Sequence, residues 1–445
     1  MAIAEIPEIA GLDARRGLVR IPPELDVPLT PRVRRLIDTS PFRRLRGISQ
    51  LGLVSLVYPA ATHSRFEHSL GVYRLALVYL KQLAQDERFA AAIDEEAAEL
   101  LIVAALLHDL GHWPFCHPIE DIRLPGVPHH ERFAKHFLLA GEIAEALEAD
   151  WRVVPSDVVA LLSEKPATPK GRILASILSG PIDVDKTDYL MRDSLHAGVP
   201  YGRNFDQGRL IGSLCLNEEG NALAISEKGK TAAEMLVFAR YVMFSEVYWH
   251  HGVRSATAML QRAFYLLRDF LDLDRLFRQT EAPFVEQLLE AAGDGPGHVL
   301  IDGLFGPRRR LYKRVAQYSF FEDRGLYERL ARRPYPWLVA CAERFAEAAA
   351  AAIGQSVAPH EILFDAPPVT REVEFNIDVY FIKEHRYRPL GAVSPVVRTL
   401  AERQFDDYVK RVRIFAHPRI AGELRNLESL PRLLEGAIES NPGAA

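Results

Sequence analysis

Residues 106–117 read LLHDLGHWPFCH, directly after the apolar run that begins LLIVAAL at residue 100. His108, Asp109, His112, Cys116 and His117 all fall within this stretch. A helix so apolar should be buried. A titratable group at its buried end is costly unless it is paired or bound to a metal ion. His68 in HSRFEHSLGV and Asp185 in IDVDKTDYLMRD extend the set. Two imidazoles with two carboxylates, His68, His108, Asp109 and Asp185, make a mixed N/O donor set suited to Mg, Mn, Fe, Co, Ni or Zn. Thiolate takes no part, which argues against a structural zinc site. Adjacent residues diverge by about 100° on an ideal helix, but at a helix end His108 and Asp109 can still reach one ion lying between helices. Such a site leaves positions for water and substrate, and a metal makes water nucleophilic near neutral pH.

The elements that must position these groups are helical. Periodicity predicts helices over 65–85, 94–109, 128–139 and 184–196, with Gly111 and Pro114 stopping the second. LTPRVRRLIDTSPFRRLRGI (29–48) has helical spacing broken or bent at Pro41. Residues 1–28 are Pro-rich and irregular, with a short strand at GLVRIP. LCLNEEGNALAIS (214–226) alternates around an EGN turn, which predicts a β-hairpin. A long helical stretch without proline spans about 231–272. Past about 275, EAAGDGPG (290–297) and LFGPRRR (304–310) are linker-like. An Ala-rich helix lies within 330–354. VEFNIDVYFIK (373–383) alternates as a strand, with YVKRVRIFAH (408–417) as its expected partner. The expected fold is mainly α: an irregular segment at 1–28, a helical core at 29–275 carrying the small hairpin, and a smaller α+β part at 276–445.

The whole chain excludes several classes. Its 445 residues are 48% hydrophobic and 25% charged, an ordinary globular balance. A formal net charge of −5 gives no sign of a general nucleic-acid coat. The basic clusters KRVRIFAH and LFGPRRRLYKR still leave local nucleic-acid contact open. No apolar run is long enough to span a bilayer, and the N-terminus lacks the basic start and apolar core of a signal peptide. Three scattered cysteines, Cys116, Cys215 and Cys341, argue for a reducing compartment. The expected location is the cytoplasm.

The H…HD…D arrangement resembles the HD-domain metal-dependent phosphohydrolases. TPRVRRLIDTSPFRRLRGISQLG, YPAATHSRFEHSLGV, HDLGHWPFCH and GPIDVDKTDYLMRD, in this order, are similar to the deoxynucleoside triphosphate triphosphohydrolase branch over about residues 29–265. The resemblance implies an HD-domain helical core and makes His68, His108, Asp109 and Asp185 the ligands of a divalent metal ion. It places His112, His117 and His130 around the scissile phosphate, because imidazole titrates near working pH. His117 would be the acid toward the leaving 5′-oxygen, His112 a partner near the α-phosphate, and His130 an orienting group. Glu120 stands where the family often has Asp. Arg65, Lys186 and Arg240 match positions that contact phosphates. Gln50, Tyr189 and Asp193 match positions at the sugar, with Gln50 and Asp193 on the 3′-hydroxyl. Tyr248 fits a position that would exclude ribose, a moderately selective device. The implied reaction is water attack at the α-phosphorus, giving deoxynucleoside and inorganic triphosphate.

A homo-oligomer is also implied. Asp38 and Arg46 match two residues of a regulatory nucleotide site found between subunits in several members. LDARRGLVRIP departs from the histidine-containing strand usual there, and Arg43 replaces an uncharged residue. Both departures argue against nucleotide activation of that kind. The ligands alone do not name the leaving group. Phosphodiesterase or nuclease action on oligonucleotides or cyclic nucleotides, with one or two metals, is therefore the alternative. A noncatalytic nucleotide sensor or nucleic-acid-binding scaffold is a second alternative, against which the intact ligand set speaks.

Overall fold

The computed structural model describes residues 3–368, 376–401 and 409–441. The fold is mainly α, with short strands. Among the described residues, 3–113, 129–243 and 376–401 gather into one compact unit, and 114–128, 244–368 and 409–441 into a second. These borders do not coincide with 28/29 and 275/276. Among the described residues, no helix is long and apolar enough to cross a membrane.

In the first unit the irregular opening folds into a hairpin of strands Leu18–Ile21 and Leu25–Pro28. Helices Pro31–Ile37 and Ser40–Arg44 follow. The break expected at Pro41 falls at Asp38 and Thr39. Pro41 sits in the first turn of the second helix, where a missing N–H costs nothing. Arg32 is held between Glu8, 2.5 Å away, and Glu99, 2.6 Å away. Its guanidinium lies 3.9 Å over the Trp151 ring.

Three helices build the centre of this unit, and each starts on a side chain that accepts an otherwise unpaired backbone N–H. Ser64 caps Arg65–Leu83, Asp94 caps Glu95–Leu107, and Asp183 caps Val184–Ala197. Leu101 through Leu107 have no exposed surface. Burying each Leu or Ile there contributes roughly 1.5–3 kcal/mol, enough to fix where this helix ends. The stretch expected as a helix at 128–139 resolves into two single turns, His130–Phe133 and Lys135–Leu138.

The hairpin expected at 214–226 is present as Leu214–Leu216 and Leu223–Ser226. It is not alone. Asp378–Phe381 pairs in parallel with Leu223–Ser226, and Arg386–Pro389 closes a four-stranded sheet. The expected pairing of 373–383 with 408–417 is therefore wrong; residues 373–375 and 408 lie outside the described residues. Val412–Ala416 is instead the middle strand of a separate antiparallel sheet, between Lys313–Tyr318 and Ile362–Asp365. All of its residues are buried. Alternation shows which faces a strand has, but not which edge it joins.

The helical stretch at 231–272 is also divided. Lys230–Met243 ends the second segment of the first unit, and the second unit resumes with a π-helical turn, Phe244–Tyr248, and helix His251–Leu267. No proline or glycine announces this break. In the second unit, only 293–295 of the linker-like stretch 290–297 form a turn; the rest belongs to helices Glu281–Ala292 and Pro296–Phe305. Helix Tyr335–Ile353 packs with the sheet around a core that includes Tyr327, Leu330, Phe345, Ile414 and Leu434.

Candidate metal centre

The end of helix Glu95–Leu107 lies beside helices Arg65–Leu83 and Val184–Ala197, and this brings His68, His108 and Asp185 together. His68 Nε2 is 3.2 Å from His108 Nε2 and 3.0 Å from Asp185 Oδ1. His108 Nε2 is 3.7 Å from the same oxygen. Two ligand atoms about 2.1 Å from one ion, at 90–110°, stand about 3.0–3.4 Å apart. Two of the observed separations, 3.0 and 3.2 Å, lie in that range, and the third, 3.7 Å, is wider by a few tenths of an ångström.

The hydrogen bonds behind the rings sharpen this. His108 Nδ1 lies 2.9 Å from the Ala105 carbonyl oxygen, which can only accept, so Nδ1 carries the hydrogen. His68 Nδ1 lies 2.8 Å from Asp188 Oδ2. Burial penalises the Asp188 charge, but Arg192 and His68 hold its pKa well below the usual carboxylate range, so it accepts. Each neutral ring thus turns a lone pair on Nε2 toward the other and toward Asp185. Three acceptors converge, an arrangement that needs a cation among them. Without a metal ion the charge comes from a proton. Burial disfavours imidazolium at His68, but Asp185 and Asp188 outweigh it and push the pKa up to about 10. Burial likewise opposes the Asp185 carboxylate, and His68 holds its pKa down.

Asp109 stands at the edge of this trio. Its Oδ1 lies 3.4 Å from His108 Nε2 and 3.1 Å from His112 Nδ1, while Oδ2 accepts from Arg65 Nη1 at 2.9 Å. Burial would raise its pKa; Arg65, His108 and His68 hold it far below the usual value. Gly111 lets the chain turn away tightly, since a Cβ there would come 2.1 Å from the His130 carbonyl oxygen. That passage sets the His130 ring against His112, with centroids 3.8 Å apart. Arg44 donates to the carbonyls of Leu110 and His112, at 2.7 and 2.9 Å, and fixes the same turn.

The HD domain family model matches residues 65–192, and the model for the HD associated region matches residues 205–426. An uncharacterised protein of Methanocaldococcus jannaschii is 31% identical over 383 residues, which span 84% of this chain and 74% of that one. The chain belongs to the HD-domain phosphohydrolase family. It is also similar to the deoxynucleoside triphosphate triphosphohydrolases of Gallus gallus, 30% identical over 282 residues, and Homo sapiens, 31% over 278. Those matches span 56% of this chain but only 45% and 44% of the two enzymes. A crystal structure of a hypothetical protein from Aquifex aeolicus has a TM-score of 0.69 and 28% identity, covering 92% of this chain and 98% of its own.

As an HD-domain phosphohydrolase the protein is a metal-dependent hydrolase, and its His and Asp side chains are placed to bind the metal. Other expected site residues of the first unit lie near the same helices. Segments 48–50 and 63–65 pair as a short bridge. The Gln50 N–H donates to the His63 carbonyl and the Arg65 N–H to the Ile48 carbonyl, both at 2.9 Å. Gln50 Oε1 and Arg65 Nε are buried without a hydrogen-bond partner among the described residues. Asp193 Oδ1 lies 2.9 Å from His63 Nε2, and the His63 ring stacks on His196 at 4.3 Å. Lys186 Nζ donates to Asp183 Oδ2 at 2.6 Å, and Tyr189 is half-buried on the same helix. Arg240 is buried on helix Lys230–Met243.

His117, Glu120 and Tyr248 belong to the second unit. There His117 Nδ1 is 3.6 Å from Glu120 Oε2, and the Tyr248 ring meets Phe244 edge-on at 5.0 Å. Sequence reasoning missed His63, Asp188 and Arg192. The four-residue spacing of Asp188 and Arg192 on a helix was a visible signal of an ion pair. Nothing in the sequence pointed either residue at His68.

Proposed function

We propose that the protein hydrolyses deoxynucleoside triphosphates to deoxynucleoside and inorganic triphosphate. The observation that carries this reading is the convergence of His68 Nε2, His108 Nε2 and Asp185 Oδ1, beside a chain segment that buries an unmet donor on Arg65 and an unmet acceptor on Gln50. A phosphate oxygen accepts from the first kind of atom, and a sugar hydroxyl donates to the second. The similarity to named triphosphohydrolases supports the same substrate class.

In this reading His68, His108, Asp109 and Asp185 would hold a divalent ion. When bound, the ion supplies positive charge and Lewis acidity to the phosphate. Arg65 offers Nε to a phosphate oxygen while Nη1 stays on Asp109. Lys186 and Arg240 add positive charge, Lys186 as a point charge and Arg240 as a planar fork. Gln50 and Asp193 share the single hydrogen of the 3′-hydroxyl, with Asp193 steadied by His63. Tyr189 packs on the sugar, and Tyr248 is assigned the exclusion of ribose. When the bond between the α-phosphorus and the 5′-oxygen breaks, that oxygen keeps the electron pair and needs a proton. We assign the proton to His117, which has Glu120 beside it. His112 and His130, ring against ring, are assigned to charge at the α-phosphate.

The test is product analysis. Protein of known metal content is incubated with each dNTP and rNTP, singly and mixed, with Mg²⁺, Mn²⁺ or Co²⁺, beside an Asp109→Ala control. Inorganic triphosphate plus deoxynucleoside, absent in the control, is the expected result. Intact nucleotides in every mixture, with cleavage of an oligonucleotide or cyclic nucleotide by the same preparation, would replace this reading with phosphodiester hydrolysis.

A further inference from the structure

Asp188 sits one helical turn beyond Asp185, and its carboxylate is held from three directions. Arg192 Nε donates to Oδ2 at 2.8 Å and Arg192 Nη2 to Oδ1 at 2.7 Å. Oδ2 also meets His68 Nδ1 at 2.8 Å. Arg192 is itself fixed, because Nη1 donates to Glu67 Oε1 at 2.7 Å and to the Pro22 carbonyl at 3.0 Å. Asp188 and Arg192 are 4% and 2% exposed, so solvent does not compete for these bonds. Gly71 makes the clearance. A Cβ there would stand 2.0 Å from Asp188 Oδ1 and 2.3 Å from Arg192 Nη2.

We infer that Asp188 and Arg192 are positioning residues of the metal centre, which keep the hydrogen of the His68 ring on Nδ1 and so leave Nε2 as a lone pair for a divalent ion. The inference rests on the ion-binding reading of His68, His108 and Asp185. An ion pair serving the fold alone would be complete with the two Arg192 bonds. The third bond, to His68, is what decides the ring's tautomer. A carboxylate on the far nitrogen also raises the basicity of the near one, and loss of such a partner typically costs 10–100-fold in metal affinity. The paired grip of Arg192 keeps Asp188 from turning away, which a single ammonium cannot do equally well.

Mn²⁺ binding to the full chain tests this without any substrate. The protein is stripped with a chelator and titrated with Mn²⁺, free ion being counted by electron paramagnetic resonance. Asp188→Asn should raise the Mn²⁺ dissociation constant about 10–100-fold. Arg192→Lys should raise it by a smaller, several-fold factor. The visible spectrum of the Co²⁺-loaded protein should change in Asp188→Asn, a signature that a role in folding alone would not move. Melting curves in chelator report which variants fold. Wild-type affinity and spectrum in folded Asp188→Asn overturn the inference; if that variant does not fold, wild-type affinity in Arg192→Lys overturns it equally. A wild-type chain that takes up no Mn²⁺ overturns the ion-binding reading together with this one. Tight binding by wild type and variants alike overturns only the positioning.

Discussion

The second unit holds a buried ion pair whose donors and acceptors match; the first holds a comparable pair beside a set of groups that do not match. In the second, Arg254 donates to Asp365, with Nη2 2.6 Å from Oδ1 and Nε 3.2 Å from Oδ2, so both carboxylate oxygens meet a donor. Around helix Tyr335–Ile353 the core is largely apolar, with Phe345, Leu330 and Ile414 at or near zero exposure. In the first, Asp188 and Arg192 form a comparable pair, yet it abuts His68, whose other nitrogen faces a second imidazole and a carboxylate. Matched buried pairs add little net stability, and breaking one is costly. Converging acceptors are unfavourable until a cation joins them. Burial of charge therefore does not mark a functional site by itself; the mismatch of donors and acceptors does.

The largest effect should come from emptying the mismatch. His68→Ala or Asp185→Ala should reduce metal content to background and hydrolysis of the proposed substrates on the order of a thousandfold, since several kcal/mol of charge stabilisation is lost. Metal analysis and initial rates check it. The counterpart in the second unit is Phe345→Ala, which should cost about 3–5 kcal/mol in urea unfolding. The folded fraction should keep its Mn²⁺ stoichiometry; a lost stoichiometry would break the separation of roles. Next, Mn²⁺ at a hundred times its dissociation constant should stabilise wild type by about 2.7 kcal/mol and His68→Ala not at all. Thermal melts with and without the ion test this.

A smaller effect concerns pH in the second unit. Burial would raise the Glu361 pKa, but Arg419, the Ala358 N–H and His417 together outweigh it and hold the value below its ordinary 4.5. A carboxyl lowered on folding contributes stability that is complete above the ordinary value and lost as pH falls through the folded one. Wild type should therefore exceed Glu361→Gln in urea midpoint at neutral pH, and the two should converge as pH drops below 4.5. The smallest effect is expected at the exposed pair of Arg324 and Glu328, 2.8 Å apart. Arg324→Ala should change stability by at most about 0.5 kcal/mol, and a larger change in the same urea assay would mean that this exposed pair contributes more than surface charge ordinarily does.

Much of the fold was legible because helices are local. The periodicity over 65–85, 94–109 and 184–196 corresponds to Arg65–Leu83, Glu95–Leu107 and Val184–Ala197, each with its cap side chain visible one residue upstream. The break between Met243 and His251 was not legible. A π-helical turn needs no proline or glycine to announce it. The strand at Val412–Ala416 was legible as a strand, but its neighbours were not, because pairing depends on which edges meet in space. At the site, the types and spacing of His68, His108, Asp109 and Asp185 pointed to a metal. The sequence showed neither that Asp109 would stand at the rim against Arg65 nor that Gly71 would clear a pocket for Asp188.

The sequence by itself determined the three central helices of the first unit, their caps and the family, and pointed to the donor set. These depend on side-chain chemistry within a few turns of chain and on motif order. The tertiary structure alone decided which nitrogen of each ring carries hydrogen. That choice rests on the Ala105 carbonyl behind His108 and the Asp188 carboxylate behind His68. Asp188 lies 120 residues from His68 in the chain and 2.8 Å from it in space. A hydrogen bond is set by position and angle, and only the packing of helices provides those.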